Sequence, residues 1–340
     1  MRLRLLFVAI ALCTAFALGR YSVDRQAPAQ RTTSTTVAPR LPSTAGKSHS
    51  PQPGAASERD RTKDTLRIAS FETLLFAQPY MFADALKQLR PSTPGHPSLY
   101  AIGFAGDGDE KVFRNEVEYL SKLLAGRFGA ADHTLQLIMS PDTYTTIPLA
   151  TRTNLDNAIE SIASKMNRDD DILLLFLTSH GSRDHELLVK MGDLPFDQVN
   201  PGLLRYALDN AHIRWRVIVV SACYSGGFIP ALEEPHTMII TAARADRTSF
   251  GCGSDAQLTW FGKAFLTEAL NQTTDFHEAF DRASKTIAAW EKQGHEKPSE
   301  PQFREGKLVE QHLAAWRATL PAGAPVAFVP AAPPTRHAGR

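Results

Sequence analysis

Leu173-Leu-Leu-Phe-Leu-Thr-Ser-His-Gly181 and Val217-Ile-Val-Val-Ser-Ala-Cys-Tyr-Ser-Gly-Gly227 decide how this chain folds. Each is an apolar run that stops at a reactive side chain and glycine. A run of that length bounded by turn residues reads as a strand buried on both faces, which is the pattern of a parallel sheet. His180 and Cys223 then stand just past the carboxyl ends of two strands. In open α/β sheets that edge is where ligands bind, so the two side chains can meet in one crevice.

Outward from these runs, helical and strand patterns alternate. Ser98–Phe104, Thr134–Met139 and Thr237–Ala242 read as further strands, with Leu187–Met191 as a short extra one. Helices are expected over Phe71–Leu89 with a break or kink at Pro79, and over Glu110–Phe128, Asn154–Met166, Asn200–Ala211, Ser254–Leu270 and Phe276–Glu291. The alternation predicts an α/β fold, a three-layer αβα sandwich with a mainly parallel central sheet. Asp169, Asp170 and Asp171 read as a solvated turn ahead of the strand that carries His180.

The chain has 340 residues, 43% of them apolar, enough for a large core. Its 37 Lys plus Arg balance 36 Asp plus Glu, and no basic stripe stands out, so a nucleic-acid partner is not expected. Residues 1–19 place Arg2 and Arg4 before an uncharged run from Leu5 to Gly19 that contains Ala15-Phe-Ala17. They read as a signal peptide or signal anchor. Residues 20–64 are rich in Pro, Ser and Thr and read as a disordered linker, 65–318 as the globular domain, and 319–340 as a disordered tail. On this reading the domain is exported, and is periplasmic or held at a membrane by an N-terminal anchor.

A thiol works as a nucleophile when ionised, and its ordinary pKa of about 8.5 leaves little thiolate at neutral pH. A histidine in reach takes the proton and later returns it to a leaving amine. The N–H groups of Gly181 and Cys223 can receive the oxyanion of a tetrahedral intermediate. Ser225, Gly226 and Gly227 let the main chain turn away sharply. Cys252 reads as a buried free thiol. A zinc site from His180, His185, Cys223 and Cys252 fits no common ligand spacing, and Gly103-Phe-Ala-Gly-Asp-Gly108 lacks the glycine spacing of a nucleotide loop. No metal or organic cofactor is called for.

Ser179-His-Gly181 after one strand and Ser221-Ala-Cys-Tyr-Ser-Gly-Gly227 after the next resemble the legumain family of cysteine peptidases, which share the caspase-like fold. The order, histidine before cysteine, is also that of caspases, where about 50 residues separate them. The resemblance spans Leu99 to Leu270. It is nearest to bacterial members through Ala105-Gly-Asp-Gly108, Ser249-Phe-Gly-Cys252 and Thr259-Trp-Phe-Gly262. It implies a peptide or protein substrate, His180 as base, Cys223 as nucleophile, and a substrate pocket that includes Arg114, Tyr224, Ser249 and Lys263. Legumain's pocket for asparagine holds an arginine and two acids. Here Phe113-Arg114 matches the arginine pair, while Tyr224 and Lys263 stand where the acids are. Cations without acidic partners favour a carboxylate, so cleavage after Asp is expected beside, or in place of, Asn. A transamidase of the same fold uses the same acyl-enzyme. A cysteine α/β-hydrolase would need glycines where Ser221 and Ser225 stand. A non-catalytic binding module would have no use for the intact pair.

Overall fold

The two apolar runs form neighbouring strands of one six-stranded sheet in the computed structural model, which describes residues 58–330 except Ser254. Leu99–Ala105 (β1), Thr134–Ile138 (β2), Ile172–Thr178 (β3), Trp215–Ser221 (β4) and Thr237–Thr241 (β5) run parallel. Gln302–Glu305 (β6) closes the edge antiparallel to β5, giving the order β2-β1-β3-β4-β5-β6. In β3 and β4 the last residues pair, Thr178 opposite Ser221, so His180 and Cys223 each lie two residues beyond the same rung. The sheet order reverses direction between β1 and β3, the kind of switch point beside which open α/β sheets bind ligands.

The helices are Glu58–Lys87 (α1), Lys111–Arg127 (α2), Arg152–Lys165 (α3), Pro201–Asn210 (α4), Ile229–Leu232 (α5), Trp260–Gly262 (α6), Phe276–Gly294 (α7) and Val309–Arg317 (α8). From α6 the chain continues through π-type turns over Lys263–Ala269. Alternation along each strand feeds two cores. Leu173, Leu175 and Leu177 of β3 belong with Ile159 of α3 and Leu208 of α4 on one face. On the other, Leu174 and Phe176 belong with Leu120 of α2 and Phe265 and Ile287. Each such side chain contributes about 1.5–3 kcal/mol by leaving water. Four helices start on side-chain caps: Thr151 accepts from Asn154 N–H, Asn200 from Leu203 N–H, Thr259 from Gly262 N–H, and Asp275 from His277 and Glu278 N–H, each worth about 1 kcal/mol. This is the expected αβα sandwich.

Several local expectations change. α1 runs through Pro79 without a break, and its neighbour Gln78 is anchored by accepting from Leu149 N–H and Asn154 Nδ2. Leu187 makes only isolated bridges, to Gly181 and Val199, instead of a strand. Asp171 is fully buried, accepting from the N–H groups of Ser98 and Asn167, rather than solvated. Part of the expected tail lies on the domain. Val326 carbonyl accepts from Tyr119 Oη and Asn271 Nδ2, and Val326 N–H donates back to Asn271.

The N-terminal expectations are corrected. Among the described residues no helix is long and apolar enough to cross a membrane. The longest, α1 with 30 residues, is charged through its first turns. The stretch read as a signal peptide or anchor, residues 1–19, lies outside the described residues, as does most of the linker. The membrane anchor and the exported, periplasmic location therefore have no support in the structure and are withdrawn.

Candidate active site

Three strand ends build the site. After β1, Gly106 N–H donates to Thr178 carbonyl (3.0 Å), and the loop is tied down by the bond from Gly108 N–H to Lys190 carbonyl (2.8 Å). Gly106 is pressed against Leu188 carbonyl and Ser179 Oγ, where a side chain would not fit. The next residue, Asp107, is buried at 3% exposure, and one of its oxygens accepts from Asp109 N–H (2.8 Å). Its other oxygen lies 3.7 Å from Nε2 of His180. Burial raises the Asp107 carboxyl above the usual carboxylate range, and the neighbouring His180 pulls it partly back.

After β3, Ser179 N–H donates to Ser221 carbonyl (3.3 Å) and Ser179 Oγ to Leu188 carbonyl (2.6 Å), so the loop bearing His180 is fixed to both neighbours. The imidazole meets the ring of Phe113 edge to face, with centroids 5.2 Å apart.

After β4 the chain reverses within one residue. Tyr224 adopts φ 56°, a left-handed conformation that costs a residue with a Cβ about 1–2 kcal/mol. Three contacts hold it there. Tyr224 N–H donates to Arg247 carbonyl (2.7 Å), while its carbonyl accepts from Gly227 N–H (3.1 Å) and from Nδ1 of His185 (3.1 Å). The His185 ring occupies the space a Cβ on Gly227 would need. Cys223 Sγ receives the N–H of Ser249 (3.3 Å), with Ser249 Oγ at 3.6 Å. Gly181 lies against the carbonyl oxygen of Cys223, so the histidine loop and the cysteine turn touch backbone to backbone. Neither Gly181 N–H nor Cys223 N–H has an acceptor among the described residues.

Beneath the site, Glu116 of α2 is fully buried and accepts from Thr178 Oγ1 (2.6 Å) and Thr259 N–H (2.8 Å), and Thr259 Oγ1 lies 3.4 Å from Ser221 Oγ. Burial raises its carboxyl pKa, and these hydrogen bonds oppose the shift. One carboxylate thereby ties the ends of β3 and β4 to the segment that leads into α6.

The remaining expected site residues separate. Arg114, 6% exposed, is ion-paired with Asp142 and lies 3.8 Å from Glu118. The premise that this arginine lacks acidic partners is thus overturned. The partner comes from the loop after β2, which no local pattern announces. Lys263 stands apart, its ammonium 4.7 Å over the Trp290 ring and 4.0 Å from Glu268, on the wall of a cavity of about 640 Å³ shared with Trp260 and Phe328. No contact among the described residues joins it to Arg114, His180 or Cys223. Cys223 and Cys252 are both free thiols, and burial pushes that of Cys252 up. Asp107, Asp142 and His185 join the expected site residues through their contacts with His180, Arg114 and Tyr224. Asp107 was visible as the acid inside the glycine turn after β1.

Asp107→Asn is expected to lower kcat/KM about 10–100-fold at neutral pH, the scale of losing a charged partner that orients an imidazole. The pH profile decides between orientation and mere support. Because the Asp107 carboxyl titrates above its ordinary range, wild-type activity falls as pH drops through that raised value. That component of the acidic limb is expected to vanish in the Asn variant, and an unchanged limb would rule the role out.

A free thiol and an imidazole delivered by adjacent parallel strands, on an αβα sandwich, make this a cysteine-type peptidase. Residues 153–311, which contain both strands, match the Peptidase C13 family. The chain is also similar to caspase-1 from Spodoptera frugiperda, at 16% identity over 64% of this chain and 92% of that one, with a TM-score of 0.45. A structure of pro-sf-caspase-1 gives 15% identity, 63% and 94% coverage, and a TM-score of 0.45. No curated protein matches the chain. None of these comparisons supports the bacterial subgroup suggested by the motifs.

Proposed function

We propose that the protein is an endopeptidase with Cys223 as nucleophile and His180 as general base, and that it prefers an uncharged amide side chain before the cut. His180 takes the thiol proton, and the thiolate attacks the scissile carbonyl carbon. The resulting oxyanion is received by the N–H groups of Gly181 and Cys223. His180 then returns the proton to the leaving amine as the C–N bond breaks. Water, activated by the same imidazole, hydrolyses the thioester and regenerates the thiol. Ser249 N–H, aimed at Sγ, favours the thiolate, and Asp107 holds the imidazole ring. The observation that carries this reading is the pair of partnerless N–H groups at two backbones in contact, one on the histidine loop and one on the nucleophile itself.

The pairing of Arg114 argues for an amide. With Asp142 and Glu118 beside it, the guanidinium presents a donor flanked by acceptors, which suits Asn, whereas a carboxylate would meet repulsion from both acids. The test incubates the full chain with peptides that differ only in Asn or Asp before the cut. Wild type is expected to prefer Asn. Asp142→Asn is expected to move the Asn-to-Asp ratio about tenfold toward Asp, the scale of one hydrogen bond to a charged group. Absence of any cleavage sensitive to thiol alkylation would refute the activity, and a ratio indifferent to Asp142 would refute the pocket.

A further inference from the structure

Four cations on the segments that build the site are ion-paired. Arg114 is paired with Asp142, Lys190 with Asp109 at 2.8 Å, Arg244 with Asp246 and Glu300, and Arg247 with Glu300 at 3.4 Å. Arg183 is exposed and makes no ion pair among the described residues. Its guanidinium carbon instead lies 5.4 Å from the ring centroid of Tyr224, the residue that follows Cys223. Arg183 itself follows His180 by three positions, in the loop whose Gly181 touches the cysteine carbonyl and whose His185 holds the Tyr224 carbonyl.

We propose that Arg183 is a specificity-determining residue that receives an acidic side chain of the peptide substrate beside the scissile bond. A guanidinium resting on an aromatic face is held by the ring quadrupole, which leaves its planar N–H edge free to take a carboxylate with two parallel hydrogen bonds. Its perch on the residue next to the nucleophile sets the range. Successive Cα atoms are about 3.8 Å apart, so a carboxylate bound there belongs to a residue within one or two positions of the cut. Asp184 and Glu186 follow Arg183 closely in sequence, and among the described residues neither forms an ion pair with it. The substrate class is therefore a peptide with an amide at the cut and an acid close by. This inference rests on the peptidase reading and concerns a different contact from Arg114.

The test uses the full chain and peptides carrying Glu, Gln or Lys in turn at each position flanking the cleaved bond. At one position wild type is expected to favour Glu over Gln about tenfold in kcat/KM. Arg183→Ala is expected to bring that ratio to about one, and Arg183→Glu to turn the preference toward Lys. The same peptides are titrated calorimetrically against the Cys223→Ala protein, with and without Arg183→Ala. A Glu preference in binding that disappears with Arg183 supports the inference even where no cleavage is seen, in which case the peptidase reading alone fails. Equal effects of Arg183→Ala on Glu and Gln peptides, in cleavage and in binding, would overturn the inference and leave the peptidase reading standing.

Discussion

Cys223→Ala and His180→Ala are each expected to lower kcat/KM by about 10⁴-fold or more, with the double variant no worse than either single one. The non-additivity follows from their acting as a unit. Without the imidazole nothing takes the thiol proton, and without the thiol the imidazole has nothing to activate. Both side chains are partly exposed at the tips of strands whose interiors carry the core, so neither change opens a cavity. Thermal unfolding of both variants is therefore expected within a degree or two of wild type. Loss of activity accompanied by a large fall in melting temperature would point to a structural role instead.

Gly181→Ala is expected to cost about 10²–10³-fold in kcat, comparable to losing one oxyanion donor. The added methyl group would overlap the carbonyl oxygen of Cys223. That carbonyl cannot retreat easily, because the next residue is already in a left-handed turn clamped by Arg247, His185 and Gly227. The two loops must then separate, moving the Gly181 N–H away from the thiol. Gly253→Ala is the control. It lies on the loop that follows Ser249, has open space around it, and is expected to leave kcat unchanged. Equal kcat for wild type and Gly181→Ala would remove Gly181 from the oxyanion site.

The strands that carry the chemistry were legible because they are buried on both faces, which leaves a continuous apolar run in the sequence. His180 and Cys223 stood out because such runs end on them. β6 was not legible. Gln302-Phe-Arg-Glu305 is four residues long, mostly polar, and gains its strand character from pairing with β5 rather than from any alternation of its own. The helix expected from Ser254 begins only at Trp260, where Thr259 caps it by accepting from Gly262 N–H. The acidic partner of Arg114 was hidden for a similar reason. Asp142 is 28 positions away on another loop, and only the packing of α2 beside β2 brings the two together. Arg114 is therefore not an unpaired carboxylate receptor, and Asp107, which the sequence shows only as the acid of a glycine turn, reaches His180 through the fold of the loop after β1.

The most direct test of the account is the alkylation of the full chain by iodoacetamide across pH 5–9, followed by mass-spectrometric mapping of the labelled cysteines in wild type and His180→Ala. Cys223 is expected to react at neutral pH well ahead of Cys252, whose thiol is held up by burial, and to lose that lead when His180 is removed. Slow and equal labelling of Cys223 and Cys252, or a Cys223 rate indifferent to His180, would contradict the claim that these two residues form one catalytic site.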